Sequence, residues 1–146
     1  MIDADNPVVR LCAAGMAIEG DPDAARALFQ QAWDARRDDF DASIAAHYLA
    51  GHQPSPADAL HWNRIAVECA EAVTDGRAQA LLASLYLNLA DSHRALAQYA
   101  DALAAAERGI TALALLPPDG YREFVATGLH RLRAQLADGS HRQADI

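Results

Sequence analysis

Turn-forming residues divide this chain into segments whose lengths suit helices. The breaks stand at Gly20-Asp21-Pro22, Gln53-Pro54-Ser55-Pro56, Asp75-Gly76 and Pro117-Pro118-Asp119-Gly120, with weaker ones near Arg37-Asp38-Asp39 and near 95–97. Asp21 and Ser55 each precede a proline, and Asp58 stands where a capping-box acid would stand, which is the signature of a helix start. Between the breaks, apolar residues recur at helical spacing. We predict seven helices, at 7–19, 22–36, 40–51, 56–74, 77–95, 98–115 and 119–137. A polar, disordered tail follows at 138–146.

The composition also favours helices. Hydrophobic residues make up 52% of the chain but aromatic residues only 6%, and much of the apolar content is alanine. Alanine is the best helix former, whereas the β-branched and aromatic residues typical of strands are sparse. With 146 residues, the chain has the length of one ordinary domain. We therefore predict an all-α fold in a single domain spanning 1–137.

A pattern of small residues in three of the predicted helices indicates an internal repeat. Each of these helices has an acid-rich start and two small residues seven positions apart. The pairs are Ala25 and Ala32, Ala59 and Ala66, and Ala102 and Gly109. The first members are separated by 34 and then 43 residues, and the first interval equals the period of a tetratricopeptide array. Small side chains at these positions allow neighbouring helices to approach closely.

The stretch from Ser84 to Leu103 resembles a tetratricopeptide repeat more than any other part of the chain. The first repeat is a fair match, and the middle one departs from the pattern because His47 and Asn63 stand where small and aromatic residues are preferred. The resemblance implies a right-handed solenoid of three antiparallel helix pairs plus a C-terminal capping helix. The expected repeats lie at about 7–37, 40–74 and 77–115, and the capping helix lies at 119–137.

The expected capping helix carries a single apolar stripe. The stripe consists of Tyr121, Phe124, Val125, Leu129, Leu132 and Leu136. A repeat array must end in an element with one polar face, because otherwise its last apolar surface stays exposed to water. We expect this stripe to face the preceding repeat.

The resemblance also implies a concave groove lined by the first helix of each repeat. The groove-facing candidates are Arg10, Ala14, Asp41, Ile44, Ala45, Tyr48, His52, Leu87, Asn88, Asp91 and Arg94. Some members of the family clamp a C-terminal carboxylate with lysine, arginine and asparagine, but the matching positions here hold mostly other residue types, so we expect no such clamp. The lining is partly apolar, which suits an amphipathic helix or an extended apolar peptide. The alternative is that the chain's own helices fill this short groove.

Residues with catalytic or metal-binding chemistry form no convincing site. His47 and His52 lie five positions apart, so their side chains point in different directions. Two metal ligands on one helix are usually three or four positions apart. Asp38, Asp39 and Asp41 form an acidic cluster, yet acids are common at helix N-termini because the helix dipole favours them. The sequence has no glycine-rich phosphate loop and no nucleophile motif. We expect no enzymatic activity, no metal site and no cofactor.

The charge and the ends of the chain bear on its partners and its location. The net charge is −8, from 20 acidic and 12 basic residues, and no basic face is evident, so nucleic acid is an improbable direct partner. No apolar run has the roughly 20 residues that would span a membrane. The start lacks the pattern of a signal peptide, and the two cysteines fit buried, reduced thiols, so we expect a cytoplasmic protein.

Binding of a protein or peptide partner is the function that these features favour. The chain would act as an adaptor that receives a peptide or helix in its groove. Two alternatives stay open: a protein that dimerises with itself for assembly, and a sensor of a small molecule or peptide in a regulatory system.

Overall fold

The computed structural model describes residues 3–137, and these divide after Ala78 into two compact units. The first unit contains α1 (Pro7–Ala17), α2 (Pro22–Asp34), α3 (Asp39–Ala50) and α4 (Pro56–Ala72). The second unit contains α5 (Gln79–Ala95), α6 (Tyr99–Ala112), a 3-10 turn (Leu113–Leu115) and α7 (Gly120–Ala137). The described chain has no strand. The predicted all-helical fold is confirmed, and the seven helices fall on the predicted segments. The tail predicted at 138–146 lies outside the described residues.

Side chains at the sequence breaks start three of these helices as the pattern predicted. The Asp21 carboxylate accepts a hydrogen bond from the backbone of Ala24 at 3.2 Å, and the Ser55 hydroxyl oxygen accepts one from the backbone of Asp58 at 3.1 Å. Asp38 accepts one from the backbone of Asp41 at 2.9 Å. These bonds satisfy N–H groups that have no partner inside the helix. The interpretation of Asp38 as a helix cap is therefore confirmed.

Phe29 of α2 forms the centre of the first unit and is fully buried. α1 approaches it at Gly15, where a Cβ atom would overlap the Phe29 ring. On the other side, the ring of Tyr48 from α3 stacks on it with centroids 5.3 Å apart. Glycine is therefore required at position 15 by the close approach of α1 to a large side chain.

Leu129 and Val125 of α7 form the centre of the second unit. They pack in one cluster with Ala83 of α5 and with Leu113 and Leu116 after α6. α6 approaches at Gly109, where a Cβ atom would lie 2.6 Å from Leu129 Cδ2 and 3.1 Å from Tyr86 Cβ. The small residue that the repeat pattern singled out at position 109 thus allows both neighbouring helices to come close.

Two members of the predicted α7 stripe are not buried. Phe124 is 76% exposed and Tyr121 is 48% exposed, whereas Val125 is 2% exposed. Each residue of an α-helix turns the chain by about 100°, so Phe124 points far to one side of its neighbour Val125. Tyr121 lies in the first turn of α7. The prediction that the whole stripe is buried was wrong for these two aromatic residues.

Candidate functional site

The seven candidates in the first unit occupy very different environments. Arg10 and Ala14 are exposed on α1, and Arg10 Nη2 lies 3.3 Å from the carboxylate of Asp5. Asp41 and Ile44 are buried, at 0% and 7% exposure, and Ala45 beside them is also buried. Tyr48 and His52 are half-buried.

Asp41 is held in a buried polar network and does not face a groove. Its Oδ1 accepts a hydrogen bond from Asn6 Nδ2 at 2.6 Å, and its Oδ2 accepts from Arg37 N at 3.0 Å and Arg37 Nε at 2.9 Å. Burial raises the pKa of this carboxyl, but the hydrogen bonds from Arg37 and Asn6 outweigh it and the pKa lies below its ordinary value. The predicted groove role of Asp41 is corrected to a structural one, because its carboxylate ties the start of α1 to α3.

Tyr48 and His52 pack against side chains of their own unit. The Phe29 ring lies 4.7 Å from the His52 ring, centroid to centroid, in addition to its stacking on Tyr48. His52 Nδ1 is 3.0 Å from the backbone oxygen of Tyr48, and His52 Nε2 is 3.5 Å from the carboxylate of Glu19. Phe29 therefore covers part of both side chains, and Glu19 lies beside His52.

The four candidates in the second unit line one cleft. Leu87, Asn88, Asp91 and Arg94 project from α5, and the facing residues of α7 are Gly128, Arg131, Leu132 and Gln135. The cleft has a volume of about 550 Å³. The structure thus brings together all four of the α5 residues that the repeat register selected.

The α7 side of the cleft was missed by the sequence reasoning. Gly128 allows α7 to lie close to α5, because a Cβ atom there would stand 3.0 Å from Leu87 Cδ2. One signal could have found these residues. α7 follows α5 by one intervening helix, as α3 follows α1, and both pairs are in contact. A groove that includes α1 and α3 would by the same logic include α7.

Two arginines line the cleft. Among the described residues, Arg94 forms an ion pair and Arg131 does not. Arg94 donates to the Asp91 carboxylate from Nη2 at 2.7 Å and from Nε at 3.0 Å. Arg131 is exposed, and within residues 3–137 it forms no ion pair. Leu132, which is buried, and Leu87, which is half-buried, supply apolar surface. A cleft of this kind can contact an apolar side chain and donate hydrogen bonds to a carboxylate.

A second cavity, of about 510 Å³, lies in the first unit and is less suited to a ligand. Its lining residues are Trp33, Arg36, Arg37, Asp38, Asp39, Ala42 and Cys69. The Arg36 guanidinium stacks over the Trp33 ring at 4.0 Å, Arg37 is bonded to Asp41, and Asp38 lies 3.1 Å from Arg77. Most of the charge around this cavity is therefore already engaged inside the unit.

The two cysteines are poor nucleophiles, and the described residues hold no group of metal ligands. Cys12 is buried, and this burial raises the pKa of its thiol to about 12. Burial also raises the pKa of Cys69, and a thiol with a raised pKa is a poor nucleophile at neutral pH. Over residues 3–137, no three His, Cys, Asp or Glu side chains are grouped so that they could hold a metal ion. None of the helices in that range is long and apolar enough to cross a membrane.

Comparison with known proteins adds no relative. No protein-family profile matches the chain, and neither a curated protein nor a solved structure does so.

Proposed function

We propose that this chain is a tetratricopeptide-like interaction module that binds a segment of a partner protein in the cleft between α5 and α7. The architecture proposed is a right-handed solenoid of three antiparallel helix pairs followed by α7. Three features support it. The loops between paired helices are short, which favours antiparallel neighbours. Ala25, Ala102 and Gly109, members of the predicted small pairs, are buried. α5 packs on both α6 and α7.

The cleft itself is the observation that carries the functional proposal. Four residues chosen by the repeat register line a cavity of about 550 Å³, within the range of about 300–1,000 Å³ that ligand sites occupy. Its polar and charged residues outnumber its apolar ones, which suits a peptide or helix better than a small apolar molecule. A reducing compartment such as the cytoplasm fits the two free thiols.

The proposal is tested by selecting peptides from a random displayed library against the full chain. We expect the selected peptides to bind a Leu87→Ala, Asn88→Ala double variant about tenfold more weakly. Truncation of a central contact residue costs about 2 kcal/mol or more, and about 1.4 kcal/mol is tenfold in affinity. Met16→Ala is the matched control, since Met16 is an apolar residue exposed in the first unit. Circular dichroism must show that all variants keep the helicity of the parent. Peptides that bind the double variant as well as the parent would place the binding site elsewhere.

Self-association is a second candidate function, and the exposed Phe124 and Tyr121 favour it. Large exposed aromatic side chains on a soluble protein often mark an interface. Size-exclusion chromatography with light scattering over a range of concentrations tests this candidate. A dimer that Phe124→Ala converts to a monomer would support it, and a monomer at every concentration would eliminate it.

A further inference from the structure

We infer that the partner segment is an amphipathic helix that carries a carboxylate about two turns away from a large apolar residue. The inference rests on the proposed function and adds the chemistry of the occupant. It combines the α5–α7 cleft with a stripe of residues along α7 that extends beyond the cleft to Phe124 and Tyr121.

The stripe runs along one side of α7 and is continuous with the cleft. Its members are Tyr121, Phe124, Gly128, Arg131 and Gln135, which follow one another at intervals of three or four residues. Residues at this spacing share one face of a helix. Gly128, Arg131 and Gln135 also line the cleft. The stripe therefore joins an exposed aromatic end at Phe124 to a cationic end at Arg131.

The distances along α7 define what an occupant must offer. Phe124 and Arg131 are seven residues apart, which corresponds to about 10.5 Å along the helix axis. An occupant that lies along α7 must present an apolar side chain near Phe124 and a hydrogen-bond acceptor near Arg131. A second α-helix has the same rise, so residues seven positions apart on it match this separation.

A helical occupant is favoured over an extended one. Strand addition, one mode by which extended peptides bind, needs the edge of a sheet, and the described chain has no strand to provide one. Backbone pairing of that kind is therefore not open to an occupant of the cleft. A helix satisfies its own backbone hydrogen bonds and presents a regular row of side chains.

The charge distribution favours an acidic occupant at this face. Residues 1–78 carry 13 acidic and 6 basic side chains, whereas residues 79–137 carry 5 of each. α7 alone has three arginines and one glutamate. Arg131 is exposed and Arg94 is already bonded to Asp91, so the cleft has one positive charge that a carboxylate would neutralise. A second copy would bring two net-positive α7 faces together, which argues against a pairing of α7 with α7.

A displayed library of single helices on a fixed scaffold, randomised along one face, tests the inference with the full chain as the target. We expect the selected helices to carry Asp or Glu seven positions from a large apolar residue. Arg131→Ala should weaken their binding by about tenfold or more, as expected for the loss of a charge-assisted hydrogen bond. Arg133→Ala is the matched control, because Arg133 is also exposed on α7 but lies outside the cleft. A charge exchange, Arg131→Glu with the helix acid changed to Lys, should restore binding.

Each outcome decides between the two proposals. The selected helices overturn the inference if they lose binding to Leu87→Ala but still bind Arg131→Ala, or if they show no preference for Asp or Glu. Either result leaves the proposed function intact. Helices that are insensitive to Leu87→Ala and Asn88→Ala overturn both. Self-association of the parent that Phe124→Ala abolishes would show that the occupant is a second copy.

Discussion

The two units of this protein use the space beside corresponding helices in different ways. In the first unit, Phe29 of α2 packs against Tyr48 and His52 of α3. In the second unit, residues of α5 and α7 line a cleft of about 550 Å³. The candidates of the first unit are therefore partly covered by side chains of their own unit, whereas those of the second unit border a cleft. Residues selected by one repeat register do not share the same surroundings in the two units.

Phe29→Ala should produce the largest loss of stability in the first unit. Phe29 is fully buried, and truncation of a buried phenylalanine costs about 3–5 kcal/mol through lost burial and the cavity that remains. Phe124→Ala is the matched control, because Phe124 is 76% exposed and its loss should change the free energy of unfolding by less than about 0.5 kcal/mol. Urea denaturation measures both variants. Tryptophan fluorescence reports the first unit, where Trp33 and Trp62 lie, and circular dichroism reports the helices of both units. Equal losses for the two variants would contradict the contrast between the units.

Asp41→Ala should be the next largest effect. Asp41 is fully buried and accepts hydrogen bonds from Asn6 and Arg37. Its removal leaves the buried Asn6 amide without this acceptor and should cost about 1–3 kcal/mol. Asp91 was also selected as a groove residue, but it is exposed and bonded to Arg94 at the surface. Asp91→Ala should therefore change the free energy of unfolding by less than about 1 kcal/mol. If Asp91→Ala were as costly as Asp41→Ala, the assignment of the second-unit candidates to an accessible surface would be wrong.

The contrast between Phe29 and Phe124, and that between Asp41 and Asp91, also shows which features the sequence could predict. Helix starts depend on neighbours within four residues, so Asp21 and Ser55 could be recognised from local spacing alone. The fate of Asp41 depends on Asn6, which lies 35 residues away, and no local pattern records that contact. Likewise, the exposure of Phe124 depends on how far α7 is rotated about its own axis, which only the packing of Val125 and Leu129 fixes. The repeat register therefore predicted the α5 side of the candidate cleft, and the sequence reasoning missed its α7 side.

The first unit should lose stability as the solution becomes mildly acidic. Burial lowers the pKa of His47 below its ordinary value of 6.5, so the folded chain disfavours a proton that the unfolded chain accepts. The free energy of unfolding should then fall as the pH drops below about 6.5. Asp41 affects stability at lower pH. Because folding lowers the pKa of its carboxyl, Asp41 stabilises the folded chain above about pH 3.8, and this stabilisation is lost as the pH falls further. Urea titrations by tryptophan fluorescence between pH 7.5 and about 5 measure the first effect. His47→Gln should flatten the curve, and an unchanged slope would remove His47 as its cause.

A single change at the end of α5 should stabilise the second unit by a small amount. Ala97 has a positive φ of 59°, and the helix closes around it through hydrogen bonds from Gln98 N to His93 O at 2.9 Å and from Ala97 N to Arg94 O at 3.0 Å. This arrangement favours glycine after the helix end, because a Cβ atom in the left-handed region costs about 1–2 kcal/mol. Ala97→Gly removes that cost but adds about 0.4–1 kcal/mol of unfolded-chain entropy, so the net gain should be near 0.5 kcal/mol. Urea denaturation followed by circular dichroism measures the gain, and Ala104→Gly, at an exposed position inside α6, is the control that should lose about 1 kcal/mol. If Ala97→Gly were also destabilising, position 97 would not adopt the left-handed conformation in solution.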